Sequence, residues 1–305
     1  MPSTSPTDPN QESESEIEPA PTAAPDSHIQ PTTALSYWSS TPPTLSGILG
    51  GYPQISRTDV AGSRAFLAKL RRGPGGAFAR GVSARSKLNG GVVDCGAGIG
   101  RVAGGFLGGL VGEKEGNGEG WRGVDVVEPV GQFVDVLKGK RDGVPEEGDL
   151  GKERGGGEWG TWLDEIYPVP LESWTPDKTY DLIWNQWCLG HLNDRDLTAY
   201  FIRIKRFLTP ADPTSSSTSS TSTPPPAPTS FIVVKENLST DPDGEDIYDP
   251  EDSSVTRTDD KFRHIFREAG LRIVRTELQT GFPKGLGLFP VRMYALRPVE
   301  EGESQ

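Results

Sequence analysis

The run Val92-Val93-Asp94-Cys95-Gly96-Ala97-Gly98-Ile99-Gly100-Arg101 carries the clearest chemistry in the chain. Two β-branched residues lead into an aspartate, three glycines follow at alternate positions, and an arginine closes the run. A buried strand turning tightly into a helix reads this way, with backbone left bare where a nucleotide-sized ligand approaches. The alternate glycines differ from the GxGxxG of dinucleotide binders, and no Lys-Ser/Thr follows as in a P-loop. Other groups stand where further strands should end or begin: Glu128, Leu171-Glu172, Gln186, Trp187, His191 and Glu236-Asn237. A carboxylate at 128 suits ribose hydroxyls, but it also suits the start of a helix. Trp187 serves equally as core and His191 as a cap. Asp249 and Asp252 lie in the acidic run DGEDIYDPEDSS, whose default reading is a solvated loop; EF-hand spacing is absent.

Alternating strand and helix patterns must position these groups. Strands are expected at 91–94, 124–127, 180–184, 231–235, 271–278 and 291–297. Helices are expected at 64–70, 100–110, after Glu128 with Phe133, Val136 and Leu137, at 194–208 with Pro210 beyond, and at 259–269 ending on Gly270. This alternation predicts an α/β fold, doubly wound on a mostly parallel sheet covered on both faces. Ligands in such sheets lie beyond the carboxyl ends of the strands, where the groups above would converge.

Residues 1–34, rich in Pro, Ser, Thr and Glu, predict a disordered tail, and 299–305 a second short tail. The Gly- and charge-rich stretch 139–160 and the Ser/Thr/Pro stretch 211–230 predict flexible insertions. The 305 residues carry a formal charge of −12, which disfavours nucleic acid as a partner. No apolar run is long enough to span a membrane, and the N-terminus lacks the pattern of a signal peptide. With two cysteines, three histidines and no CxxC pair, the pattern gives neither a disulfide framework nor a metal site. Free thiols suit cytoplasm or nucleus.

Four stretches then become specific. They are Tyr37-Trp38 through Pro42-Pro43-Thr44 to Gly50-Gly51-Tyr52; Asp94 to Arg101; Tyr180-Asp181-Leu182-Ile183-Trp184-Asn185-Gln186-Trp187-Cys188-Leu189-Gly190-His191-Leu192; and Lys235-Glu236-Asn237 with Asp252-Ser253-Ser254-Val255. Together they resemble the α-N-terminal protein methyltransferases, which methylate the free amino group of proteins beginning Xaa-Pro-Lys after removal of the initiator Met. A generic methyltransferase would share only the second stretch. The resemblance implies a Rossmann-like, seven-stranded domain over 35–298 with an N-terminal helical extension, S-adenosylmethionine (SAM) as cofactor, and a monomer. It implies that Gly96, Gly98, Gly100 and Arg101 meet SAM, with Arg101 on its carboxylate and Glu128 on its ribose. Leu171, Glu172 and Gln186 would complete the cofactor site.

The same resemblance lines a peptide channel with Tyr37, Leu49, Ile55, Trp187 and Asn237, offers Asp249 and Asp252 to the basic third residue (Lys or Arg) and the amine, and packs Trp38 over the cleft. His191 and Asp252 become candidate bases, with Asn237 orienting the amine; which of the two takes the proton stays open at this point. Glu128 and Glu236 each extend an Asp common in relatives. A small-molecule N- or O-methyltransferase, or a silent binder of Xaa-Pro-Lys termini, would be the alternatives.

Overall fold

The computed structural model describes residues 23–72, 88, 91–111, 123–143, 159–210 and 230–299. Seven strands form the central sheet: β1 (Gly91–Cys95), β2 (Val124–Val127), β3 (Leu163–Tyr167), β4 (Tyr180–Gln186), β5 (Phe231–Asn237), β8 (Leu271–Leu278) and β9 (Val291–Pro298). Their order is β3-β2-β1-β4-β5-β9-β8. The first five run parallel, while β9 is antiparallel to both neighbours. Chain order reverses between β1 and β4, which opens a crevice beyond their carboxyl ends.

Alternation along the strands supplies both faces of the sheet. Val93, Ile183 and Ile232 pack with Leu197, Phe201, Phe262 and Phe266, from α5 (Asp194–Ile204) and α6 (Asp259–Glu268). Val92, Leu182 and Val233 pack with Phe66 and Leu67 of α3 (Ser56–Arg72) and with Phe106 and Leu107. Phe66, Phe201 and Phe231 have no exposed surface. Truncating any of them to Ala would cost about 3–5 kcal/mol.

Several expectations need correction. Strand β3 was not expected: a half-exposed edge with the polar sequence Leu-Asp-Glu-Ile-Tyr lacks the apolar run of its neighbours. The helix expected at 64–70 extends over 56–72. The helix expected at 100–110 instead passes through a π turn at Ala103–Leu107 and a 3-10 turn at Gly108–Leu110. The helix expected through 208 tightens to a 3-10 turn at Lys205–Phe207. The acidic run is no loop but a hairpin of β6 (Ile247–Asp249) and β7 (Ser254–Thr256).

The tail boundary at 34 also moves. Residues 1–22 lie outside the described residues, but Pro25–His28 and α1 (Pro31–Ser40) are helical. They are held by side-chain partners that local composition hides. The Asp26 carboxylate accepts from the Asp194 N–H at 2.9 Å, capping α5, and the Gln30 N–H donates to Ser253 Oγ at 2.7 Å. The His28 ring lies 5.4 Å from that of Tyr248 in β6. Of the expected insertion 139–160, α4 (Gly131–Arg141) and Trp159–Thr161 are ordered elements, and 144–158 lie outside the described residues. So do 211–229 and 300–305, whereas Ser230 is buried and donates to the Thr209 carbonyl.

Candidate active site

Immediately after β1 the backbone enters the left-handed region at Gly96, φ 67°. A Cβ there would stand 2.3 Å from Cys188 Cβ, so only glycine lets this turn close on the segment after β4. Gly98, φ 56°, faces open space apart from Ile48 at the end of α2 (Leu45–Ile48). Its N–H donates to Glu128 Oε2 at 2.7 Å, while the Val130 N–H donates to Oε1 at 2.9 Å. Burial pushes the Glu128 carboxyl up to about 7, against those two N–H groups that favour its charge. Gly96, Gly98, Glu128, Leu171, Glu172 and Gln186 all border one cavity of about 370 Å³, the volume of a small-molecule site. Gly100 does not; it turns toward Leu137 and Trp159. The Leu171 carbonyl is taken by Arg203 Nη2 at 2.7 Å, which leaves its side chain to the cavity.

Arg101 also borders this cavity, and its partner comes from α3. Nη1 donates to Asp59 Oδ2 at 2.7 Å, and Gln186 Nε2 donates to the same oxygen at 2.8 Å. The other carboxylate oxygen forms an ion pair with Lys235 Nζ at 2.5 Å. Asp59 and Lys235 have no exposed surface. Arg101 and Lys235 hold the Asp59 carboxyl below its usual range despite burial, whereas burial lowers the Lys235 ammonium against the pull of Asp59. Sequence reasoning missed both residues. The available signal was periodic: Asp59 and Ser63 occupy the stripe of α3 that otherwise carries Val60, Phe66, Leu67 and Leu70 into the core.

The segment after β4 is gripped from two sides. The Cys188 and Leu189 N–H groups donate to Glu236 Oε1 at 2.9 and 3.0 Å, and burial pushes this carboxyl up to about 7. Buried Arg257 donates to the Leu189 and Leu192 carbonyls and to Asp194 Oδ1. Trp187, φ 53°, is thereby held in a conformation costly for a bulky residue, with the Arg101 guanidinium 5.2 Å over its ring. Its indole Nε1 is buried without a hydrogen-bond partner. His191 follows on the cavity wall. Trp38 of α1 donates to its Nε2 at 3.0 Å, and Gln132 fixes α1 by donating to the Trp38 and Thr41 carbonyls.

The remaining expected residues form a second zone. Tyr37 borders a shallow cavity of about 350 Å³ with Glu251 and four hydroxyl residues of α1. Burial and then the charges of Glu251, Asp252 and Asp249 push its phenol up, so Tyr37 faces the acidic hairpin turn. Asp252 Oδ1 is buried with no hydrogen-bond partner, and the following Ser253 has φ 53°. Asn237 is half-buried at the end of β5. Leu49 and Ile55 are buried and border neither cavity, and Asp249 is exposed. Among the described residues no cluster has the composition of a metal site.

What fits the larger cavity is set by its polar lining. A bare left-handed glycine turn admits a nucleoside, Glu128 stands where ribose hydroxyls would donate, and a guanidinium that is paired through Nη1 with Asp59 also lines the cavity wall, where a ligand carboxylate would meet it. SAM carries all three complements, and this crevice on a doubly wound sheet defines a SAM-dependent methyltransferase. The chain belongs, by its match over residues 26–213 and 225–297, to the family of AdoMet dependent proline di-methyltransferases. It is 38% identical to alpha N-terminal protein methyltransferase 1 of Drosophila melanogaster, over 92% of this chain and 80% of that one. Identity to the protein of the same name in Schizosaccharomyces pombe is 36%, over 87% and 94%. Identity to N-terminal Xaa-Pro-Lys N-methyltransferase 1-A of Xenopus laevis is 31%, over 87% and 93%. The solved structure of a SAM-dependent methyltransferase from Leishmania major superposes with a TM-score of 0.63 at 29% identity, covering 88% of this chain and 82% of that one.

Proposed function

We propose that this methyltransferase acts on the free α-amino group of proteins that begin Xaa-Pro-Lys or Xaa-Pro-Arg once the initiator Met is removed. The observation that carries the reading is the unpartnered, buried Asp252 Oδ1 in an acidic turn facing Tyr37; the next residue, Ser253, has its carbonyl 3.5 Å from Nδ1 of His191, which lines the cofactor cavity. A carboxylate oxygen without a donor suits an incoming ammonium. The exposed Asp249 and Glu251 add negative charge for a basic third residue, and the Trp187 indole offers a flat apolar wall to proline.

SAM supplies an electrophilic methyl group on a sulfonium. The chain's own residues need only orient the acceptor, exclude water and accept one proton, because methyl transfer is an in-line displacement. An α-ammonium ordinarily has a pKa of about 8, so a modest base suffices at neutral pH. Asp252 and His191 flank the proposed amine position, and Asn237 at the end of β5 would orient it. Trp38, tied to His191, supports a role for α1 as a cover over the cleft.

The compartment proposed is cytoplasm or nucleus, since Cys95 and Cys188 are buried free thiols. A monomer is the proposed state, with neither nucleic acid nor membrane as partner; among the described residues no helix is long and apolar enough to cross a membrane. The deciding experiment is mass spectrometry of the peptide Ser-Pro-Lys-Arg-Ile-Ala and its N-acetylated twin after incubation with SAM. Methyl gain on the free peptide alone is expected. Methylation of both would move the acceptor to lysine, and methylation of neither would overturn the peptide specificity.

A further inference from the structure

The cofactor cavity ends against a group of buried charges that the reaction itself does not use. Asp59, Arg101 and Lys235 come from three separate elements, α3, the turn after β1, and β5, and meet with side-chain exposures of 0%, 7% and 0%. One carboxylate shared by two cations leaves an excess of one positive charge. Lys235 has no free face: besides its ion pair with Asp59 Oδ1, its Nζ donates to Ser63 Oγ at 2.9 Å, Gln279 Oε1 at 3.0 Å and the Asp59 carbonyl at 3.0 Å. Arg101 differs, because Nη1 is held by Asp59 and the guanidinium lies over the Trp187 ring, while the residue also lines the cavity. Asp94 also feels the Arg101 charge, but burial pushes its carboxyl up to about 7 and its Oδ2 accepts from the Ala103 N–H, so it offsets the excess only in part.

We propose that Asp59, Arg101 and Lys235 form a buried charge triad whose surplus positive charge receives the carboxylate of the cofactor's amino-acid tail, with Asp59 as the residue that positions Arg101 and Gln186. This goes beyond a single Arg101–carboxylate contact and rests on the assignment of the cavity to SAM. A lone guanidinium on this wall would be a buried, mobile charge. Asp59 fixes its direction through Oδ2 and holds the Gln186 carboxamide by the same atom. Asp59 alone would also neutralise Arg101, and Lys235 restores the balance from behind, out of reach of the ligand. The arriving carboxylate sets a second anion beside the two buried cations, while the ammonium of the same tail lies further from them.

The test compares S-adenosylhomocysteine with 5′-methylthioadenosine, which keeps purine, ribose and thioether but lacks the amino-acid tail. Calorimetric titration of full-length protein measures both. Lys235→Met keeps the volume and removes one buried cation. It is expected to weaken S-adenosylhomocysteine by about tenfold or more, leaving methylthioadenosine within about twofold. Asp59→Asn is expected to show the same selective loss through misdirection of Arg101. If Asp59→Asn fails to fold, Lys235→Met decides alone. Parallel loss of both ligands would assign a merely structural role and overturn the proposal, as would unchanged binding of S-adenosylhomocysteine. A wild-type protein that binds neither ligand would overturn the cavity assignment and the triad with it.

Discussion

The indole N–H of Trp38 donates to Nε2 of His191 at 3.0 Å, while Nδ1 of the same ring faces the Ser253 carbonyl at 3.5 Å. Indole is a donor only, so Nε2 must present its lone pair and the ring proton must sit on Nδ1. An imidazolium would set two N–H groups against each other. With α1 in this position, both nitrogens of His191 are occupied and Nε2 is closed to the substrate's proton. Trp38→Phe is expected to free Nε2. In ¹⁵N NMR the wild type should show the Nδ1–H tautomer, and the variant a mixture with Nε2–H. Loss of the anchored cover should also lower kcat/KM by about tenfold, or roughly 1.4 kcal/mol. An unchanged tautomer in the variant would remove Trp38 from this role.

Asp252 is then the stronger candidate for the proton, since its Oδ1 is buried and partnerless where His191 is engaged. Asp252→Asn is expected to lower kcat by about 10²–10⁴, the range for a lost general base, and His191→Gln by clearly less. The sign of the pH effect follows from the acceptor. Above about pH 8 an α-amine is already neutral, so the Asn variant should recover part of its rate as pH rises. Initial rates across pH with a saturating peptide check this. Equal losses in the two variants would restore His191 to an equal share of the proton transfer.

Much of this fold was legible because its central strands are mostly apolar. Val92-Val93, Val124 and Val126-Val127 around the buried Asp125, and Phe231 to Val234 are buried on both faces, and such strands declare themselves. The edge strand β3 did not, because only Leu163 of its five residues is buried. The cofactor turn was legible from glycine spacing, and Glu128, Gln186, Trp187 and His191 from their places at strand ends. Asp59 and Lys235 were not, since a buried ion pair unites residues 176 positions apart and leaves no local pattern. The helical segments at Pro25–His28 and Pro31–Ser40 were hidden for a similar reason. Asp26, His28 and Gln30 look like solvated residues until Asp194, Tyr248 and Ser253 are brought to them.

Glu128 is expected to make cofactor binding pH-dependent near neutrality. Burial has pushed its carboxyl up to about 7, and Asp94 and Glu236 are pushed up to about 7 by the same cause. A carboxyl raised on folding contributes stability at low pH, and that contribution is lost as pH rises from the ordinary carboxylate range through about 7. Ribose hydroxyls are donors, so they favour the ionised form of Glu128. The affinity for S-adenosylhomocysteine should therefore rise as pH increases through about 7, and Glu128→Gln should flatten this step as well as weaken binding. Titrations on either side of neutrality decide; a step that survives in the Gln variant would transfer it to another group.

The glycines behind the cofactor turn yield a prediction opposite in sign to helix propensity. By propensity alone, replacing Gly with Ala in a helix stabilises by about 1 kcal/mol. Here a Cβ on Gly104 would lie 2.4 Å from the Trp159 ring, and one on Gly108 would lie 2.6 Å from the Trp162 ring. Those two rings pack on each other with centroids 4.5 Å apart, and Trp162 is 3% exposed, so Trp162 has little room to retreat. The bare backbone is a floor for two indoles, and the π turn at Ala103–Leu107 widens the helix where they lie. Gly108→Ala is expected to destabilise by about 1–3 kcal/mol, the usual cost of overpacking, and Gly104→Ala by somewhat less because Trp159 is only partly buried. Thermal unfolding without cofactor checks both. A rise in Tm for either variant would mean that its indole yields and that propensity governs this segment after all.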